Sequence, residues 1–148
     1  MIKLKKFIFL LFCFLSILSF SQDFSYENQI LTLVNRERKI YNLPPVTLNK
    51  KLNQLARIKA TDMDTYNYFS HSSPRLGNLS TFLKKNKIKY MIAGENIAKG
   101  QKTSEHVFNM WMESKGHRKN ILNPRFKEMG IGKDSSNKNI WVQEFIGE

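Results

Sequence analysis

Cysteine is nearly absent: the 148-residue chain has one, Cys13. It lies in the opening segment MIKLKKFIFLLFCFLSILSFSQDF. There Lys3, Lys5 and Lys6 precede an apolar run from Phe7 to Phe20, and Ser19 and Ser21 put small residues where a signal peptidase cuts. The run is fourteen residues long, short of the ~20 that a membrane-spanning helix needs. Residues 1–21 therefore read as a secretory signal peptide, cleaved after Ser21, with no stable membrane span afterwards. Small residues do not precede Cys13 as a lipidated cysteine would require. The mature chain, residues 22–148, then has no cysteine, which excludes disulfides. A protein folding outside the cytoplasm on those terms, secreted or held in the periplasm or cell envelope, depends on its apolar core. About 127 residues suffice for one such domain and not for two.

Acidic residues are also scarce. With the leader removed, 21 of the 24 Lys and Arg remain against 12 Asp and Glu, a net charge of about +9. The basic residues are dispersed: Arg36 and Arg38, Lys50 and Lys51, Lys84, Lys85 and Lys87, Arg118 and Lys119. They read as a solvated cationic surface, and functionally as attraction to an anionic cell envelope. No aromatic residues interleave with them as a nucleic-acid stacking platform requires. Repeats, low-complexity segments and long linkers are missing too, so one monomeric domain is expected.

Apolar spacing supplies the elements. Tyr26, Ile30, Leu33, Val34 and Tyr41 recur at helical intervals over residues 26–41, before Leu43-Pro44-Pro45 stops the helix. Leu52, Leu55, Ala56, Ala60 and Met63 form a second stripe, with Thr47 or Asn49 to cap it. After the loop YFSHSSPRLGN come a short helix over 79–86, a strand over 90–97 and a helix over 103–113. Strands over 127–133 and 139–145 flank a turn at 134–137. Four helices and three strands, helices mostly first, indicate an α+β domain with helices covering a small antiparallel sheet.

Three histidines remain in the mature chain. His106 lies off the apolar stripe beside Glu105 and reads as solvent-facing. His71 sits in FSHSS, and His117 follows Gly116, which reads as a helix terminator. Glu95, between Gly94 and Asn96 in AGENIAKG, is a carboxylate in apolar surroundings. Buried, it must take a proton or find a cation or donors. Two histidines and a carboxylate are the donor set of open zinc sites. No local spacing rule joins positions 71, 95 and 117, so only the fold can. Ser70, Ser72 and Ser73 flank His71, but no nucleophile elbow is readable.

The segments FSHSS, GENIA, WMESKGHRKNIL, MGIG and IWVQEF, in that order behind LVNRERKIYNLPPVTLNKKLNQLARIKATDM, resemble the CAP superfamily, the SCP or PR-1-like domain. The similarity is greatest to its cysteine-free secreted bacterial branch. The resemblance implies an α-β-α sandwich with a three-stranded antiparallel sheet between helices. It implies a shallow cleft with His71, Glu95 and His117 as ligands for a divalent cation such as zinc. The family's second acidic position falls on Ser114 here, with Glu113 one residue early, rotated by about 100° on a helix. The implied function is a binding module for a small ligand, lipid, peptide or envelope component, rather than an enzyme. The alternative is a metal-assisted or His/Glu hydrolase, peptidase-like.

Overall fold

A computed structural model describes residues 25–148. The expected leader and Cys13 lie outside these residues. The elements are α1 (Tyr26–Ile40), β1 (Thr47–Leu48), α2 (Lys50–Thr65), α3 (Leu79–Lys85), β2 (Ile92–Lys99), α4 (Ser104–Glu113), α5 (Lys115–Ile121), β3 (Phe126–Lys133) and β4 (Ile140–Gly147). Each of the first four helices starts on a side chain that accepts an otherwise unpaired amide: Ser25, Asn49, Asn78 and Thr103. Asn49, rather than Thr47, caps α2.

The strand order is β1-β3-β4-β2. Strands β3, β4 and β2 are antiparallel, and β1 adds two residues parallel to β3. The expectation of three strands is corrected to four. The short β1 carries no alternating pattern of its own and was hidden after Pro44-Pro45. A second correction concerns Gly116, which does not end a helix. Ser114 adopts an extended conformation (ψ 121°) between α4 and α5, and Gly116 lies inside α5.

Strand alternation divides the core between two faces. Ile97, Ile140 and Val142 pack with Ala56, Ala60 and Met63 of α2. Ala98, Met129, Ile131, Trp141 and Phe145 pack on the other face with Ile30 and Val34 of α1 and with Val107, Phe108 and Trp111 of α4. The MGIG segment explains how closely α2 approaches the sheet. A Cβ on Gly132 would lie 2.1 Å from the Arg57 amide nitrogen, and one on Gly130 would lie 2.3 Å from Leu52 Cβ. Only a strand without side chains at those positions lets the helix backbone lie on it.

Two basic residues are interior, which corrects the picture of an all-surface charge. Lys59 is buried, and Arg38 is fully buried. Arg38 donates from Nε to the Pro44 carbonyl, from Nη1 to the carbonyls of Ile121 and Asn123, and from Nη2 to that of Phe126. It thereby fastens α1 to the end of α5 and the start of β3, in place of the covalent links the chain lacks. Burial lowers its pKa, yet the guanidinium stays charged. Arg38→Leu is expected to cost more than about 3 kcal/mol, because several buried carbonyls lose their donors together. Urea unfolding measures this; a loss below about 1 kcal/mol would contradict the role.

Candidate functional site

The segment Gly94-Glu95-Asn96 lies in β2, one of the two edge strands. Its three residues do three different things. Gly94 allows close packing: a Cβ there would sit 2.8 Å from the Phe126 ring and 3.1 Å from Asn120 Oδ1. Glu95 pairs in register with Glu144 of β4 and points toward the α2 face. Asn96 pairs with Gln143 and points to the α5 face.

On the α2 side, Glu95 Oε1 lies 2.7 Å from His71 Nδ1, with the carboxylate side chain 5% exposed and the imidazole 61%. The hydrogen bond from the ring raises the His71 pKa. It also fixes the ring so that Nε2 faces outward. The loop carrying His71 is held from below: the Lys59 ammonium donates to the His71 carbonyl at 2.9 Å. Asp62 accepts from the hydroxyls of Tyr68 and Ser73. Burial and the Asp62 contact push the Tyr68 hydroxyl up to about 12. The serines beside His71 serve the loop: Ser70 Oγ accepts the Ser72 amide, and Ser73 Oγ accepts those of Arg75 and Leu76.

On the α5 side, the Asn96 amide nitrogen donates to the His117 carbonyl and to Gln143 Oε1. Asn120, one turn after His117, donates to the Glu95 carbonyl and to Asn96 Oδ1. The Trp111 indole N–H reaches the Ile97 carbonyl at 3.4 Å. Asn120 and Trp111 thus occupy outward carbonyls of the edge strand and blunt it against pairing with another chain. His117 Nδ1 is buried without a hydrogen-bond partner. Its pKa is lowered, first by burial and then by the charge on His71.

The structure therefore brings His71 against Glu95 and sets His117 beside the same strand, bonded through its carbonyl. Glu113 is placed elsewhere. It is exposed and lines a shallow recess with Glu37, Tyr41, Asn109, Met112 and Arg118, because the extended Ser114 directs the chain away from it. His106 is exposed, as its sequence setting suggested.

Glu144 was missed. It is 0% exposed, and neither carboxylate oxygen has a hydrogen-bond partner. Burial and then the neighbouring Glu95 charge raise its pKa well above the usual carboxylate range, against a smaller opposing pull from Lys59. IWVQEF reads as an apolar strand with one polar pair, and only the register Glu95↔Glu144 reveals the second acid.

A divalent cation is implied by the resemblance. Among the described residues no three His, Cys, Asp or Glu side chains are grouped to hold one ion. Glu95 is engaged with His71 Nδ1, which is the orienting role carboxylates play behind metal-binding imidazoles. Of the imidazoles that would hold it, the His71 ring is exposed, while Nδ1 of His117 is buried and without a partner. That set is more open than three protein ligands.

This fold and this His/Glu arrangement define an SCP-type domain. The model of the CAP, or cysteine-rich secretory protein, family matches residues 31–145, and the chain belongs to that family. It is 48% identical over 124 residues to the uncharacterized protein YkwD of Bacillus subtilis, covering 84% of this chain and 48% of that protein. The chain thus spans about half the length of that relative. Its structure resembles an extracellular SCP-domain protein of Bacillus anthracis, with TM-score 0.77, 36% identity, and coverage of 83% of this chain and 40% of the other. It also resembles an outer surface protein of Borrelia burgdorferi, with TM-score 0.73, 20% identity and coverage of 82% and 91%; at that identity the likeness concerns the fold. No helix among the described residues is long and apolar enough to cross a membrane.

Two outcomes follow. In NMR titrations His71 should titrate above 6.5 and His117 below it, and Glu95→Gln should bring His71 down while leaving the fold intact. Glu144 keeps a proton in the fold at pH values where the unfolded chain has lost it. Folding then takes up a proton, so stability falls as pH rises from about 4.5 toward the raised pKa, by up to ~1.4 kcal/mol per pH unit. Glu144→Gln should therefore leave the melting temperature nearly unchanged at pH 4 and raise it at pH 7. A gain equal at both pH values would contradict this.

Proposed function

We propose that this is a secreted binding module of the cell envelope. Its cleft, formed by His71, Glu95 and His117, takes a small ligand, lipid or peptide, with a divalent cation such as zinc between the imidazoles. The observation that carries the reading is the Glu95-oriented His71 ring: its outer nitrogen is presented to solvent, while its inner nitrogen is 2.7 Å from a nearly buried carboxylate. An orientation of that kind lowers the cost of holding a ligand or ion. The basic composition suits an anionic envelope surface. The expected leader and the extracellular B. anthracis neighbour support export.

A second reading has one observation in its favour. An imidazole backed by a carboxylate can take a proton from water, so the same pair suits a metal-assisted or His/Glu hydrolase. A serine nucleophile has no such support, since Ser70 Oγ accepts a loop amide and Ser73 Oγ donates to Asp62 of α2.

Calorimetry of mature protein should show Zn²⁺ uptake. His71→Ala combined with His117→Ala should abolish it, and Glu95→Gln should weaken it about tenfold or more. Uptake by the double variant equal to that of the native protein would reject the cation site. Hydrolysis of peptide or ester substrates that disappears on chelation and in His71→Ala would favour the second reading.

A further inference from the structure

We infer that the lysine-rich end of the domain, where α2 starts and α3 stops, is a docking surface for an acidic polysaccharide. Its role rests on the envelope reading above and not on the histidine cleft.

The basic residues look scattered in the sequence, and the fold gathers seven of them. Residues 65–94 contain no Asp or Glu, and Lys84, Lys85, Lys87 and Lys89 fall in their second half. The Asn49 side chain donates to Glu128, which brings the start of α2, with Lys50 and Lys51, to the start of β3. Lys51 and Asn86, which caps the end of α3, line one recess. Lys89 and Lys127 line another, of about 380 Å³. Ile88 and Tyr90 turn inward onto Phe82, Leu83 and Ile146, so Lys87, Lys89 and Met91 turn outward. Lys127 sits on the bulge between Phe126 and Glu128, opposite no residue of β4. All seven lysines are exposed, and among the described residues no ion pair includes any of them.

Two of these placements run against local preference. The first turn of α2 holds Lys50 and Lys51 and no acid, although a helix N-terminus favours negative charge. At its other end α3 stops in a Schellman turn: the Ile88 amide donates to the Leu83 carbonyl and the Lys87 amide to that of Lys84. The residue after the cap of such a turn is left-handed and usually glycine. Here it is Lys87, at φ 59°. A charge kept where the backbone favours no side chain, beside others that repel it, points to a partner that neutralises it.

Chemistry selects the occupant. The lysines surround the recess rather than converge in it, and its own lining adds Glu128 and Glu148. A small anion finds no enclosed cradle there, whereas a chain with repeated negative charges meets several ammonium groups at once. Lysine is a point charge on a flexible stem, without the planar fork that grips one phosphate in two places. The aromatic ring among these lysines, Tyr90, packs on the core with its hydroxyl on Ser80, so bases have no platform to stack on. Met91 is 76% exposed but stands alone, and a segment that enters a bilayer presents a whole apolar face. A carboxylated sugar chain fits what remains.

The test follows the amide spectrum of mature protein titrated with oligogalacturonate, with its methyl ester as the uncharged chain. Saturable shifts should fall on Lys50, Lys51, residues 84–91 and Lys127, weaken steeply with added salt, and be absent with the ester. Lys84→Glu with Lys87→Glu and Lys89→Glu should weaken binding about tenfold or more, whereas Arg36→Glu with Lys99→Glu and Lys102→Glu, equal in net charge and also exposed, should change it less than about threefold. Lys87→Gly should raise the melting temperature and still weaken binding, a pairing that a misfolded variant cannot give. His71→Ala with His117→Ala should bind as the native protein does, which separates failure here from failure of the histidine cleft. Equal loss in the two triple variants would overturn the site and leave only diffuse attraction to the envelope. Absence of saturable shifts, or equal binding of the methyl ester, would also overturn it. Tighter binding, at equal charge, of single-stranded DNA or of phosphatidylglycerol vesicles would overturn it in favour of a nucleic acid or a membrane.

Discussion

Among the described residues strand β2 is hydrogen-bonded to β4 on one side and has no strand on the other, and the proposed cleft depends on that position. Because strand side chains alternate, two consecutive residues, Glu95 and Asn96, serve opposite faces of the sheet. One reaches the loop that bears His71, and the other reaches the helix that bears His117. Only an edge strand is open enough for groups from both sides to converge around it. That openness would invite pairing with other chains, and Asn120 and Trp111 close part of it by taking the carbonyls of Glu95 and Ile97.

The interior holds several polar and charged side chains among its apolar ones. Arg38, Lys59, Asp62, Asn96, Gln143 and Glu144 are all buried. Most are satisfied through specific partners, which fixes loops that apolar packing alone would leave adjustable. Arg38 does this for four carbonyls, and Lys59 and Asp62 do it for the His71 loop. Gln143 keeps a buried amide nitrogen without a partner, and the Glu144 carboxyl meets no donor at all, its pKa raised well above the usual carboxylate range by burial. The proposed cleft thus rests on a floor where one carboxyl meets an imidazole and another is buried without a donor.

Local pattern made the helices legible. The stripes at Ile30 and Val34, at Leu52 to Met63 and at Val107 to Trp111 are all core rows, because an amphipathic helix announces its buried face every three or four residues. The hairpin of β3 and β4 was legible from its turn. What stayed hidden was long-range. Two residues of β1 have no period to read, and Gly116 looked like a terminator although it sits within α5. Arg38 and Lys59 looked like surface charge, since nothing adjacent in sequence reveals four waiting carbonyls or a loop to anchor. The contact of His71 with Glu95 came from order-of-motif resemblance and not from spacing, and Glu144 escaped because register is invisible before the sheet is assembled.

The central claim is that Glu95 holds His71 by its inner nitrogen and leaves the outer one free. Long-range ¹H–¹⁵N spectra of the imidazoles, recorded above the pH at which His71 titrates, test it most directly. The account predicts that neutral His71 carries its proton on Nδ1, with that proton slowed in exchange and shifted downfield by the carboxylate. A His71 ring carrying its proton mainly on Nε2, as free histidine does, would contradict it.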